Sequence, residues 1–110
     1  MKSPEDTLNE HGSERIPTRE DILTQIQKRC EGAELFQELS DDDGIYLLFA
    51  RKQDEKPGEF TELIYQRKGE FPSSASPVTC LEKVCYRDNE PYWGENVAEY
   101  DSATGEWIDL

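Results

Sequence analysis

Apolar residues along this chain change their period once, at about residue 32. Before it, Ile22, Leu23, Ile26 and Cys30 recur at i, i+1, i+4 and i+8, which lines one side of a helix. Thr18 is placed to cap the amino end, with Asp21 three residues on where a capping box carries its acid. Glu20 and Asp21 in the first turn and Lys28 and Arg29 in the last suit the helix dipole, and Gly32 suits the exit. The pattern predicts a helix over about 19–31.

After Gly32 the spacing is that of strands. Residues 35–39 are short enough to add a helical turn or to form a strand, and 40–44 turn in either case, because Asp and Gly accept turn dihedrals. Residues 45–50 (IYLLFA) are almost continuously apolar, which predicts a strand covered on both faces. Pro57 and Gly58 break the chain. Residues 60–67 then alternate, with Leu63 and Tyr65 on one side and Glu62, Ile64 and Gln66 on the other, so the two runs should pair as a hairpin. Residues 69–77 form a Ser-rich loop with prolines, and 78–87 resume a strand. Residues 88–91 turn the chain, and Tyr92 and Trp93 open the next strand, with Trp93 expected in the core. Gly94, Glu95 and Asn96 suggest a bulge or kink before residues 97–100. Residues 99–107 read as a closing hairpin with a four-residue loop, Gly105 in the left-handed conformation and Tyr100 opposite Trp107.

These elements predict an α+β fold: one N-terminal helix packed on an antiparallel five- or six-stranded meander sheet. Residues 18–110 are expected to form a single α+β domain, and residues 1–17, polar and without period, a disordered tail. One helix covers one face of such a sheet. The other face must be solvated, curled on itself or covered by a partner.

Composition changes this picture in one respect. A 35% apolar and 34% charged chain leans towards disorder, but eleven aromatics, all beyond residue 35, argue for a folded body. Charge changes it more. The formal net charge is -13, and residues 88–110 contain seven carboxylates with no Lys or Arg, whereas residues 45–87 are close to neutral. A one-signed block on an ordered surface repels itself and marks a place where something positive binds. Phosphate recognition needs clustered bases. The nearest approach is the adjacent pairs Arg51, Lys52 and Arg67, Lys68, which read as solvent-facing strand ends, so no nucleic-acid partner is expected. No apolar run approaches a membrane span, so no membrane partner is expected either. Cys30, Cys80 and Cys85 are odd in number, lack a Cys-x-x-Cys pair and follow no signal sequence, which points to reduced thiols and a cytoplasmic location. Cys80 and Cys85 are an odd step apart on one strand and should face opposite sides.

Candidate chemistry is sparse. The one histidine, His11, lies in the expected tail, away from any Ser or Cys it could activate. Cys80 or Cys85 beside Lys83 or Arg87 reads as a half-buried thiol. Asp41, Asp42, Asp43 and Gly44 imitate part of a calcium loop, but Leu39 and Ala50 stand where its first Asp and last Glu belong. Glu82 shares a strand face with Val78, Cys80, Val84 and Tyr86. No phosphate loop or dinucleotide fingerprint occurs. No catalytic residue, metal ligand or cofactor is assigned, and the chain reads as a binding protein rather than an enzyme.

The candidate site is the acidic end. Asp88, Glu90, Tyr92, Glu95, Glu99, Asp101 and Glu106 are the expected partner-binding residues. Val97, Glu99 and Asp101 should face one way and Ala98 and Tyr100 the other, with same-face carboxylates about 6.6–7 Å apart. The expected function is a small acidic protein-binding module that docks on a basic protein, as an inhibitor, immunity-type or adaptor protein does. The alternative is a curled sheet with a small-ligand or catalytic pocket, lined by Tyr46, Phe49, Tyr65 and Tyr86 with Glu82 as its polar group.

Overall fold

The structure, a computed structural model, describes residues 15–68 and 78–110. His11, the first fourteen residues of the expected tail and the loop at 69–77 lie outside the described residues. Helix α1 (Arg19–Arg29) begins as its spacing predicts, with Thr18 Oγ1 accepting the Asp21 N–H at 3.1 Å. It ends two residues earlier than expected, because Gln27 takes over the exit. The Gln27 side chain accepts the Gly32 N–H at 2.9 Å and donates to the Ala33 carbonyl at 2.6 Å.

Six strands follow: β1 (Glu34–Asp41), β2 (Gly44–Gln53), β3 (Phe60–Gln66), β4 (Cys80–Arg87), β5 (Glu90–Asp101) and β6 (Glu106–Asp109). They lie in sequence order as one antiparallel meander, so the fold is α+β. Residues 35–39 are strand rather than helix, since β2 offers them a ladder partner.

One face of the sheet carries the core. Leu48, Tyr65, Leu81 and Ala98 form a row across four strands, and Ala50 and Leu63 lie in the next row. Ile22 and Ile26 of α1 pack on both rows, and all eight side chains are buried. Each buried Leu or Ile contributes roughly 1.5–3 kcal/mol. Leu39 pairs with Leu47 but Ser40 pairs with Ile45, leaving Tyr46 as an extra residue in a bulge. The bulge turns Ile45 onto the helix side beside Leu48. Leu47 is buried on the opposite face but Phe49 beside it is only half-buried, so the run is covered fully on the helix side and only in part on the other, less than expected.

The hairpin joining β5 and β6 has the expected register, Tyr100 opposite Trp107. Their rings lie 5.2 Å apart, and Trp107 also meets Tyr65 at 6.3 Å. Trp107 Nε1 donates to Asp21 Oδ2 at 3.3 Å, tying the hairpin to the first turn of α1. Gly105 has φ 79°, and a Cβ there would stand 2.9 Å from the Arg15 guanidinium. Arg15 donates its N–H to the Ser102 carbonyl and its side chain to the Thr104 carbonyl, both at 3.0 Å. Pro17 is buried. The chain therefore touches the hairpin three residues ahead of the boundary expected after residue 17.

The turn between β4 and β5 is tighter than expected. Asp88 and Asn89 both have positive φ, 55° and 63°, as a two-residue hairpin requires, and Glu90 and Pro91 already belong to β5.

Candidate functional site

Strand β5 has two unlike halves. Residues 98–101 pair with β6 on one edge, Ala98 and Glu99 pair with β4 on the other, and Leu110 donates to the Val97 carbonyl at 3.1 Å. Residues 90–96 pair with β4 alone, and every one of them is exposed. Among the described residues no strand lies on their outer edge. Tyr92 is 57% and Trp93 42% exposed. Trp93 is thus not a core residue. It stands opposite Cys85 in the row of Thr61 and Lys52, outside the two rows that Ile22 and Ile26 cover.

Two bulges interrupt β5. Ala98 pairs with Leu81 but Asn96 with Glu82, leaving Val97 extra; Trp93 pairs with Cys85 but Pro91 with Tyr86, leaving Tyr92 extra. Gly94, expected to mark the kink, sits between them in regular register with Val84. Val97 packs against the core beside Ala98, a departure from the expected alternation that would have set it with Glu99 and Asp101. An extra residue shifts the period by one, so the acidic row is divided. Glu95 shares the helix side with Lys83 and Leu63, while Glu99, Asp101 and Glu106 share the uncovered side.

The remaining predicted residues fall around these groups. Asp88 is in the turn and Glu90 stands opposite Arg87. The Arg87 guanidinium carbon lies 4.3 Å from the centre of the Tyr92 ring. Asp101 accepts the Ala103 N–H at 2.9 Å. Asp109 forms an ion pair with Arg29. The acidic end therefore borrows cations from α1 and β4, although it contains none itself.

The uncovered face holds a cluster that sequence reasoning missed. Glu62 is only 2% exposed, and its two oxygens accept from Arg51 Nε at 2.8 Å and from the Tyr86 hydroxyl at 2.9 Å. The Arg51 guanidinium carbon lies 3.9 Å from the Phe36 ring centre and 4.6 Å from that of Phe60, which stacks on Tyr86 at 4.3 Å. Burial, then the bond to Glu62 and its charge, raise the Tyr86 hydroxyl pKa. The one signal in the sequence was the charge at Glu62 between apolar neighbours on β3. Its partners come from β2 and β4.

These groups are occupied by one another. Glu82 accepts from the Gln66 amide at 3.2 Å. Arg67 holds both oxygens of Asp41, at 3.0 and 2.5 Å, and with the Asp43 N–H brings that carboxyl down to about 2. None of Cys30, Cys80 and Cys85 forms a disulfide among the described residues, Cys80 is buried, and burial pushes the Cys30 thiol up. Among the described residues no three His, Cys, Asp or Glu side chains are arranged to hold a metal ion, and no helix is long and apolar enough to cross a membrane.

The residues expected to line a pocket do not converge. Tyr65 is in the core under α1, Tyr46 lies in the β2 bulge near Arg67, and Phe49, Glu82 and Tyr86 are on the uncovered face. Among the described residues there is an open groove of about 580 Å³ whose lining mixes Glu34, Phe36, Arg51, Lys52 and Phe60. Comparison with protein-family models, with curated proteins and with solved structures yields no match.

Proposed function

We propose that this chain is a small acidic protein-binding module that docks on a basic partner, in the manner of an inhibitor, immunity-type or adaptor protein. The observation that carries this is the outer half of β5. There, exposed Tyr92 and Trp93 stand among Asp88, Glu90 and Glu95, in a block of 23 residues without a cation of its own. Exposed aromatics supply the anchors that interfaces favour, and an excess of carboxylates over neighbouring cations steers a cationic partner towards them. Glu99, Asp101 and Glu106 extend the same potential on the uncovered face. Nucleic acid is a poor fit, because Arg51 and Arg67 are engaged by Glu62 and Asp41. A cytoplasmic setting belongs to the same proposal and accords with three cysteines outside any disulfide among the described residues. The pocket alternative has less support, since its lining is divided between two faces.

The test is to neutralise Glu95, Glu99, Asp101 and Glu106 to Gln or Asn. Proteins captured from lysate at low salt by the native chain are then measured against both forms. Association should slow and lose much of its salt dependence, with folding intact. At about 0.2–1 kcal/mol per exposed pair, the four changes together should weaken binding by between about fourfold and several hundredfold. An unchanged rate together with an unchanged salt response would make the acidic end a solubility device and end this proposal.

A further inference from the structure

We infer that the outer edge of β5 at residues 93–96 takes up an extended segment of the partner as an added strand, one bearing Lys or Arg at every second position. This rests on the basic-partner proposal and states how the contact is made. Strand β6 pairs with β5 only as far as Ala98, with one further bond from Leu110 to Val97. Beyond it the edge of β5 continues, exposed and unpaired among the described residues, with regular register to β4 from Trp93 to Asn96. Backbone groups along such an edge are a template for a further strand.

The side chains choose among occupants. Pro91 and the bulge at Tyr92 close the template at one end, and the bulge at Val97 closes it at the other. Between them, Trp93 and Glu95 face the helix side and Gly94 and Asn96 the uncovered side. An added strand would therefore set alternate residues beside Glu95 and Trp93. A Lys or Arg at both positions gains an ion pair with the first and a cation–π contact with the second. The intervening residues meet Gly94, which has no side chain, so apolar residues fit there. A second copy of this chain is disfavoured. Both edges would belong to the same cation-free block of seven carboxylates, and surfaces of one sign repel each other.

The probe is a ten-residue peptide alternating Lys with Val, offered to the full chain at low salt. Two further versions carry N-methyl groups on one or the other alternate set of amides, which removes hydrogen-bond donors without altering charge. Edge pairing uses one set only. One methylated peptide should bind nearly as well as the parent, and the other at least about tenfold more weakly, as the loss of two or three backbone bonds implies. Hydrogen exchange should slow at residues 93–96 and stay unchanged along β1, the other outer strand. Equal affinity of the two methylated peptides, or protection along β1 instead, overturns edge addition and leaves the acidic module standing. No binding of the parent peptide at low salt overturns both.

Discussion

Arg51 and Glu62 face each other across the ladder between β2 and β3, and Arg51 Nε donates to Glu62 Oε2 at 2.8 Å. The pair lies on the face that α1 leaves open, yet the carboxylate is almost fully buried under Arg51, Phe60 and Tyr86. Side chains here do the covering that a second layer of structure does elsewhere.

Removing one member should therefore hurt more than removing both. Arg51→Met leaves a buried carboxylate with only the Tyr86 hydroxyl, and should cost about 2–3 kcal/mol in urea unfolding. The double variant Arg51→Met with Glu62→Leu should recover to within about 1 kcal/mol of the native protein, because an apolar pair of similar size needs no compensation. Additive losses would show that the two residues are not coupled.

Asp41 gives stability a pH dependence at the acid end. Its carboxyl is depressed to about 2 by the two bonds from Arg67 and one from the Asp43 N–H. A depressed carboxyl contributes fully above its ordinary value of 3.8 and loses that contribution as pH falls from there through about 2. The native protein should exceed Asp41→Asn in Tm at neutral pH, and the gap should close within that window. A gap that stays constant down to pH 2 would show that the ion pair does not stabilise the fold.

Tyr65 carries an unmet polar group. Its ring fills the core, but its hydroxyl is buried with no partner among the described residues, and burial raises its pKa well above 10. An orphaned buried hydroxyl costs about 1–3 kcal/mol, so Tyr65→Phe should be neutral or stabilising. A loss above about 1 kcal/mol in chemical denaturation would reveal a partner for that oxygen.

Trp107 should matter more than its place on a four-residue edge strand suggests. It joins the aromatic pair with Tyr100, the contact with Tyr65 and the bond to Asp21. Trp107→Ala should cost about 3 kcal/mol. Trp107→Phe keeps a ring and loses the indole donor, and should cost nearer 1 kcal/mol. Thermal unfolding of the two variants separates packing from hydrogen bonding.

What the sequence determined by itself is local. The stripe at Ile22, Leu23 and Ile26 with its Thr18 cap, the alternation along β3, and the hairpin with Gly105 and Tyr100 opposite Trp107 each depend on neighbours a few residues away. Periodicity and turn chemistry read those directly, and the same holds for the run of carboxylates after residue 87. Tertiary structure decided the irregularities of register between strands that no short turn fixes. The extra residues at Tyr46, Tyr92 and Val97 exist only relative to a facing strand, and each reverses which way its neighbours point. Val97 thereby divides Glu95 from Glu99 and Asp101. Trp93 lies outside the core because α1 covers only the rows of Ala50 and Leu48, a matter of where one helix lands. Glu62 could be buried only once Arg51 and Tyr86 arrived from other strands, since a carboxylate leaves water only where donors far away in the chain replace it.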